Sequence, residues 1–235
     1  MILRFIKALK QRHFMSPLAA GILAALAFFF VDCTGRQNRF QPLYYFPLNV
    51  GNTWVYNGEI HKMQISDITK NEGDRLITFS FYDTLNVLLW QEKAGLLKDQ
   101  IYVQSFEPMT SLLPSVSFDP PRPFAPFSRK LGNKLNFPCI ETCMSDSTHS
   151  TTTVEAEYVI ETVEDVRVPA GKFLDCIKMK INIIYPRTAE KPFFIGEQYW
   201  WYAPLVGPIK YDLPSARGEL VEMNIIRTRQ VELLE

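Results

Sequence analysis

Apolar and polar residues alternate with a period of two along most of the chain, the spacing of strands with one buried and one wet face. Val154, Ala156, Tyr158 and Ile160 alternate with Glu155, Glu157 and Glu161, and Ile177, Met179, Ile181, Ile183 and Tyr185 alternate with Lys178, Lys180 and Asn182. Ile77, Phe79 and Phe81 repeat the pattern, as do Val221, Met223 and Ile225 against Glu222 and Asn224, and, over a shorter run, Ile101 and Val103. Turn residues separate these runs: Asn71-Glu72-Gly73-Asp74, Lys93-Ala94-Gly95, Pro169-Ala170-Gly171 and Pro214-Ser215-Ala216-Arg217-Gly218. No body segment carries a long helical period, although Thr84 to Lys93 fits either helix or strand. The pattern predicts an all-β fold with minor helix, in which an antiparallel sheet is curved or doubled so that its apolar face is covered.

The first 33 residues follow a different pattern. Residues 1–14 are basic with no acid, and Leu18 to Val31 are uncharged, a basic region followed by an apolar one. This predicts an export signal or hydrophobic anchor helix over residues 1–33, followed by a single antiparallel β domain over 34–235. As a helix the uncharged stretch reaches about 21 Å against a hydrocarbon core of roughly 30 Å, and Met15, Ser16 and Pro17 lengthen the span. The positive-inside bias places the body outside the cytoplasm, on the periplasmic side of a membrane-anchored envelope protein. Phe30-Val31-Asp32-Cys33-Thr34-Gly35 resembles a bacterial lipobox and makes Cys33 the candidate lipidation site, with Asp32 where lipoboxes carry a small residue. An uncleaved anchor and cleavage after Ala25-Leu26-Ala27 are the alternatives. Lys plus Arg and Asp plus Glu each number 25, but the leader holds Arg4, Lys7, Lys10 and Arg12 against Asp32, so the remainder is mildly acidic. That body offers no footprint for a phosphate backbone, which argues against nucleic acid as a partner.

Val50-Gly51-Asn52-Thr53-Trp54-Val55-Tyr56 and Leu131-Gly132-Asn133-Lys134-Leu135-Asn136-Phe137 share an apolar-Gly-Asn-x-apolar-x-aromatic frame, 81 residues apart. Each follows a Phe/Pro stretch, and each Gly suits a turn where a side chain would clash. The echo predicts two related β halves, residues 44–123 and 124–235.

Three stretches carry a family resemblance: Tyr45 to Tyr56 (YFPLNVGNTWVY), Val168 to Phe173 (VPAGKF) with Cys176-Ile177-Lys178, and Trp201 to Tyr211 (WYAPLVGPIKY). Together they resemble, in order, the signatures of a group of uncharacterised bacterial exported lipoproteins, the TapB-like domain-of-unknown-function group. That family is similar to half-barrel lipoprotein carriers, and the resemblance implies a curved sheet around an apolar groove. It supplies no catalytic residues. The segment between residues 108 and 127 and the Cys139/Cys143 pair depart from the family pattern.

Little catalytic chemistry is visible. The His residues are His13, His61 and His149, and there is no H-x-x-x-H or C-x-x-C spacing, G-x-S-x-G or phosphate-cradling Gly loop. Asp146, Ser147 and His149 read as a polar loop, and Glu155, Glu157, Glu161, Glu164 and Asp165 as a solvated face. No catalytic residue, metal site or cofactor is therefore expected. Cys139 and Cys143 form the candidate disulfide, with two reduced thiols as the alternative, and Cys176 reads as a buried free thiol.

Two apolar features remain as binding candidates. Residues 108–127 hold six of the sixteen prolines, and Leu112, Leu113, Phe118 and Phe124 within them are expected to form a lid over a groove, a docking strip, or a loop packed on the sheet. Tyr199, Trp200, Trp201 and Tyr202 put aromatics on both faces of one strand, of which one face must be buried. The expected function is a noncatalytic, membrane-anchored binding or structural module, such as an accessory subunit of an envelope complex with a protein partner. A carrier of lipid-like or other apolar ligands is the first alternative, and a hydrolase with an unrecognised site the second.

Overall fold

The computed structural model describes residues 42–71, 74–97, 100–109, 114–124, 131–145, 149–185 and 196–226. The leader, Cys33, Leu112, Leu113, Asp146 and Ser147 lie outside the described residues. A single helical turn, α1 (Pro42–Tyr45), precedes β1 (Thr53–Tyr56), β2 (Lys62–Asn71), β3 (Asp74–Tyr82), β4 (Leu88–Leu97), β5 (Gln100–Pro108) and β6 (Ser115–Pro123). There follow β7 (Lys134–Met144), β8 (His149–Val168), β9 (Gly171–Ile184), β10 (Gly196–Ala203), β11 (Gly207–Leu213) and β12 (Ala216–Asn224). Each strand is antiparallel to its sequence neighbours, and β12 pairs with β1, so the curved sheet closes into a barrel. Closure leaves no unpaired edge, which a half-barrel would have to protect by other means.

The period-two pattern becomes an inside and an outside. Ile77, Phe79 and Phe81 of β3, Val154, Ala156, Tyr158 and Ile160 of β8, and Ile177, Met179, Ile181 and Ile183 of β9 are all buried. Phe46, just after α1, lies at the centre of this core and is fully buried. Its ring sits 5.4 Å from Trp54, 5.5 Å from Phe79, 5.3 Å from Phe124 and 6.2 Å from Tyr202, side chains drawn from all round the barrel. The segment leading into β1 therefore plugs the barrel end from which β1 starts.

Both Gly-Asn frames turn through a left-handed glycine: Gly51 has φ +90° and donates its N–H to Ile65 O (2.8 Å), and Gly132 has φ +77° and donates to Ile160 O (2.9 Å). Strands β1–β6 follow the first frame and β7–β12 the second. Their side chains differ, since Trp54 is 0% exposed and its counterpart Leu135 is 38% exposed.

Thr84 to Lys93, open between helix and strand in the sequence, is a turn followed by strand, because the Asp83 carboxylate accepts the N–H groups of Leu85 (2.9 Å) and Val87 (2.8 Å) and holds the chain out of a helix. Three sequence expectations are corrected. Lys93-Ala94-Gly95 is not a turn but the middle of β4, whose pairing with β5 runs on to Leu97↔Gln100. The proline-rich segment is not wholly irregular, because Ser115–Pro123 forms β6, with a register shift against β5 between Val103 and Ser105. Val221 and Met223 do not share one buried face: the register shift between Val55↔Glu222 and Tyr56↔Leu220 leaves Val221 as the unpaired extra residue, 45% exposed, whereas Met223 pairs with the buried Trp54 but, one residue from the end of β12, stays 38% exposed.

Candidate functional site

Beside the aromatic plug, the barrel holds a partly open cavity of about 70 Å³ with an unusually polar lining. β4 turns Trp90 and Glu92 inward, β10 turns Gln198, Trp200 and Tyr202 inward, and β6 contributes Arg122. The Trp90 indole N–H points at Glu92 Oε1 (3.4 Å), and the Arg122 guanidinium lies 5.0 Å from the centre of the Phe118 ring. The Arg122 Nε–H is buried and meets no acceptor. Glu92 and Arg122 do not form a contact ion pair; the close pairs among the described residues are Lys93–Glu107, Lys134–Glu157, Lys172–Asp165, Lys178–Glu161, Lys180–Glu197, Lys210–Glu219 and Arg217–Asp212.

Burial pushes the Glu92 carboxyl above its ordinary range, with the Arg122 charge and the Trp90 hydrogen bond pulling the other way. Burial disfavours the charge on Arg122, but Tyr158, Glu92, Tyr185 and Cys139 oppose it, and the guanidinium ends above its ordinary value. Next to this pair the Tyr185 hydroxyl donates to Glu141 Oε2 (2.6 Å), and the Tyr158 hydroxyl donates to Pro123 O (2.9 Å). Burial pushes the Tyr158 phenol up to about 12.

Tyr158 and Tyr211 are both raised to about 12, and Cys176 to about 11, in each case chiefly by burial. A group whose folded value is raised gives stability that is present below its unfolded value and lost as pH climbs towards the folded one. The body is therefore expected to lose stability between about pH 9 and 12, Cys176 first and the two phenols from about pH 10, with Tyr158 alone accounting for roughly 3 kcal/mol. Denaturant melts followed by circular dichroism across that window check this; a flat profile would show that the phenols are solvated.

The two faces of β10 differ in surroundings. Tyr202 is buried and Trp200 half-buried against the core; Tyr199 and Trp201 lie on the other face, and Trp201 is half-buried and also packs against the core cluster. Lys178 Nζ lies 4.5 Å from the Tyr199 ring and 5.5 Å from the Trp201 ring, and Lys210 Nζ lies 5.3 Å from Trp201. The Trp201 indole donates to Glu164 Oε1 (2.8 Å), and the Tyr199 hydroxyl donates to Glu197 Oε2 (2.9 Å). Lys178, Lys180 and Lys210 pair with Glu161, Glu197 and Glu219 in turn, so this face is aromatic and charge-balanced.

The other expected site residues fare differently. Cys139 and Cys143 are both unbridged thiols, and the Cys143 Sγ lies 3.4 Å from Glu141 Oε1. They lie four residues apart on β7, about 13 Å at the rise of a strand, which rules out the expected bridge. Cys176 is a buried thiol with its Sγ 3.8 Å from Leu174 O. Phe118 is half-buried beside Arg122, and Phe124, also half-buried, stacks on Phe79 at 4.9 Å and lines the cavity. Glu92, Arg122, Glu141 and Gln198 escaped the sequence reading. For Glu92 the signal was a charge in phase with the inward Trp90 and Ala94. No group of His, Cys, Asp and Glu among the described residues could hold a metal ion.

No protein-family model matches the chain, and no curated protein matches it. Among solved structures it is similar to a candidate lipoprotein of Parabacteroides distasonis ATCC 8503, at 15% identity and TM-score 0.47, over 77% of this chain and 98% of that one. It is also similar to a candidate exported protein with a YmcC-like fold from Bacteroides fragilis NCTC 9343, at 15% identity and TM-score 0.48, over 77% and 99% of the two chains. The hypothetical lipoprotein YmcC from Escherichia coli K12 is similar at 10% identity and TM-score 0.39, over 90% of this chain and 98% of that one.

Proposed function

We propose that the protein is a noncatalytic module of the cell envelope, held at a membrane through its N-terminal segment and displaying a rigid barrel to an envelope protein partner. The basic and apolar leader supports the location. The outward face of β10 carries the proposed role: Tyr199 and Trp201 keep part of their surface in solvent beside paired lysines while Tyr202 on the opposite face of the same strand is buried in the core. Aromatic side chains in such a setting make interface anchors. The carrier alternative is less favoured, because about 70 Å³ is well under the roughly 150 Å³ that admits benzene, let alone an acyl chain. A hydrolytic site is less favoured too: His61 Nδ1 is 2.9 Å from Tyr56 O, and His149 is exposed at the start of β8.

Deleting residues 1–33 is expected to release the body from membranes. Replacing Tyr199 and Trp201 together with Ala is expected to abolish co-migration with the partner on native gels of solubilised membranes while moving the melting temperature by less than about 4 °C. An unchanged complex, or a body still embedded after the deletion, overturns the reading.

A further inference from the structure

We infer that the cavity inside the barrel is a binding site for a small zwitterion, a molecule bearing an ammonium and a carboxylate on a short frame. Two aromatic stacks face the cavity: Phe81 on Trp90 (centroids 4.7 Å apart, planes at 15°) and Trp200 with Tyr202 (6.4 Å, 26°). They come from opposite sides of the barrel, since β4 and β10 lie six places apart in the ring of twelve strands. Ring faces attract a desolvated cation, and Glu92 sets a carboxylate beside them in the same lining, the combination that recognises an ammonium group.

Arg122 supplies the other pole. Arg122 is half-buried and its side chain hydrogen-bonds that of Tyr158, but its buried Nε–H has no acceptor, a deficit that folded proteins rarely tolerate. The planar fork suits a carboxylate. Glu92 and Arg122 face one cavity without touching, so a molecule with both charges bridges them where a singly charged one leaves a pole unmatched. Glu141, the other interior carboxylate, already accepts the Tyr185 hydroxyl (2.6 Å) and does not line the cavity. A volume of about 70 Å³ limits the ligand to the size of glycine, or to two waters at roughly 30 Å³ each.

The test is calorimetric titration of the full-length chain in detergent with glycine, acetate and methylamine, the whole zwitterion and its two halves. Glycine is expected to bind at least about tenfold more tightly than either half. Arg122→Met and Glu92→Gln are each expected to weaken glycine binding at least about tenfold, read only where near-ultraviolet circular dichroism shows a native fold. Should either variant fail to fold, the comparison of the three ligands on the wild-type chain decides alone. Glycine that produces no heat up to about 100 mM, or no more than acetate and methylamine do, overturns the inference and leaves a cavity that holds ordered water only.

Discussion

Trp54→Ala is expected to destabilise the body by about 3–5 kcal/mol, the range for deleting a fully enclosed indole from a packed core. Trp54 is 0% exposed, its ring sits 5.4 Å from Phe46, and its indole N–H donates to Val206 O at 2.7 Å. A Cβ on Gly207 would lie only 3.0 Å from the same indole, so the surrounding chain is shaped to the ring and collapses poorly once it is gone. Truncation also strips the Val206 carbonyl of its donor. Urea unfolding of the wild type and the mutant measures the difference, and coincident midpoints would show that the core is centred elsewhere.

Gly218→Ala is expected to cost roughly 3 kcal/mol, at the upper end of what overpacking usually costs. A Cβ there would fall 2.3 Å from Tyr211 Cε1, and one on Gly58 would fall 2.4 Å from the Tyr211 hydroxyl and 1.8 Å from the Arg217 carbonyl oxygen. Tyr211 cannot swing aside at low cost. Its hydroxyl accepts the Ile60 N–H (3.0 Å) and donates to the Ile60 carbonyl (3.1 Å), and its ring lies 5.3 Å from that of Tyr56. Because both glycines flank one ring, Gly58→Ala and Gly218→Ala together should cost less than their separate effects added. Full additivity in thermal melts would show that the two clashes are relieved independently.

The sequence made the strands with one wet face legible, because burial on one side only writes itself as alternation; β8 and β9 read directly. The reading failed where a bulge shifts the register, as in β12, and where prolines disguise a strand, as in β6. Phe124 stayed open between lid and packing for a related reason: an aromatic after a proline run looks the same whether it covers the sheet or fills its interior. Trp54 and Tyr56 were legible through their two-residue spacing beyond the Gly51-Asn52 turn. The polar interior was not. Glu92 and Arg122 sit on β4 and β6, and nothing local says that a barrel will bring their side chains to one cavity.

The β1–β12 seam has a kinetic consequence. Thr53 pairs with Asn224, so the contact that closes the ring joins residues separated by nearly the whole body. Each neighbouring hairpin can form as soon as its own two strands are available, but the last pairing must wait for the C-terminal strand, and such long loop closures are slow. A chain that emerges N-terminus first therefore passes through a stage in which β1 and β11 are both open edges, ready to pair with another copy. Until β12 arrives, the molecule's protection against aggregation rests with whatever holds those edges apart, and a chain cut short before β12 would never leave that stage.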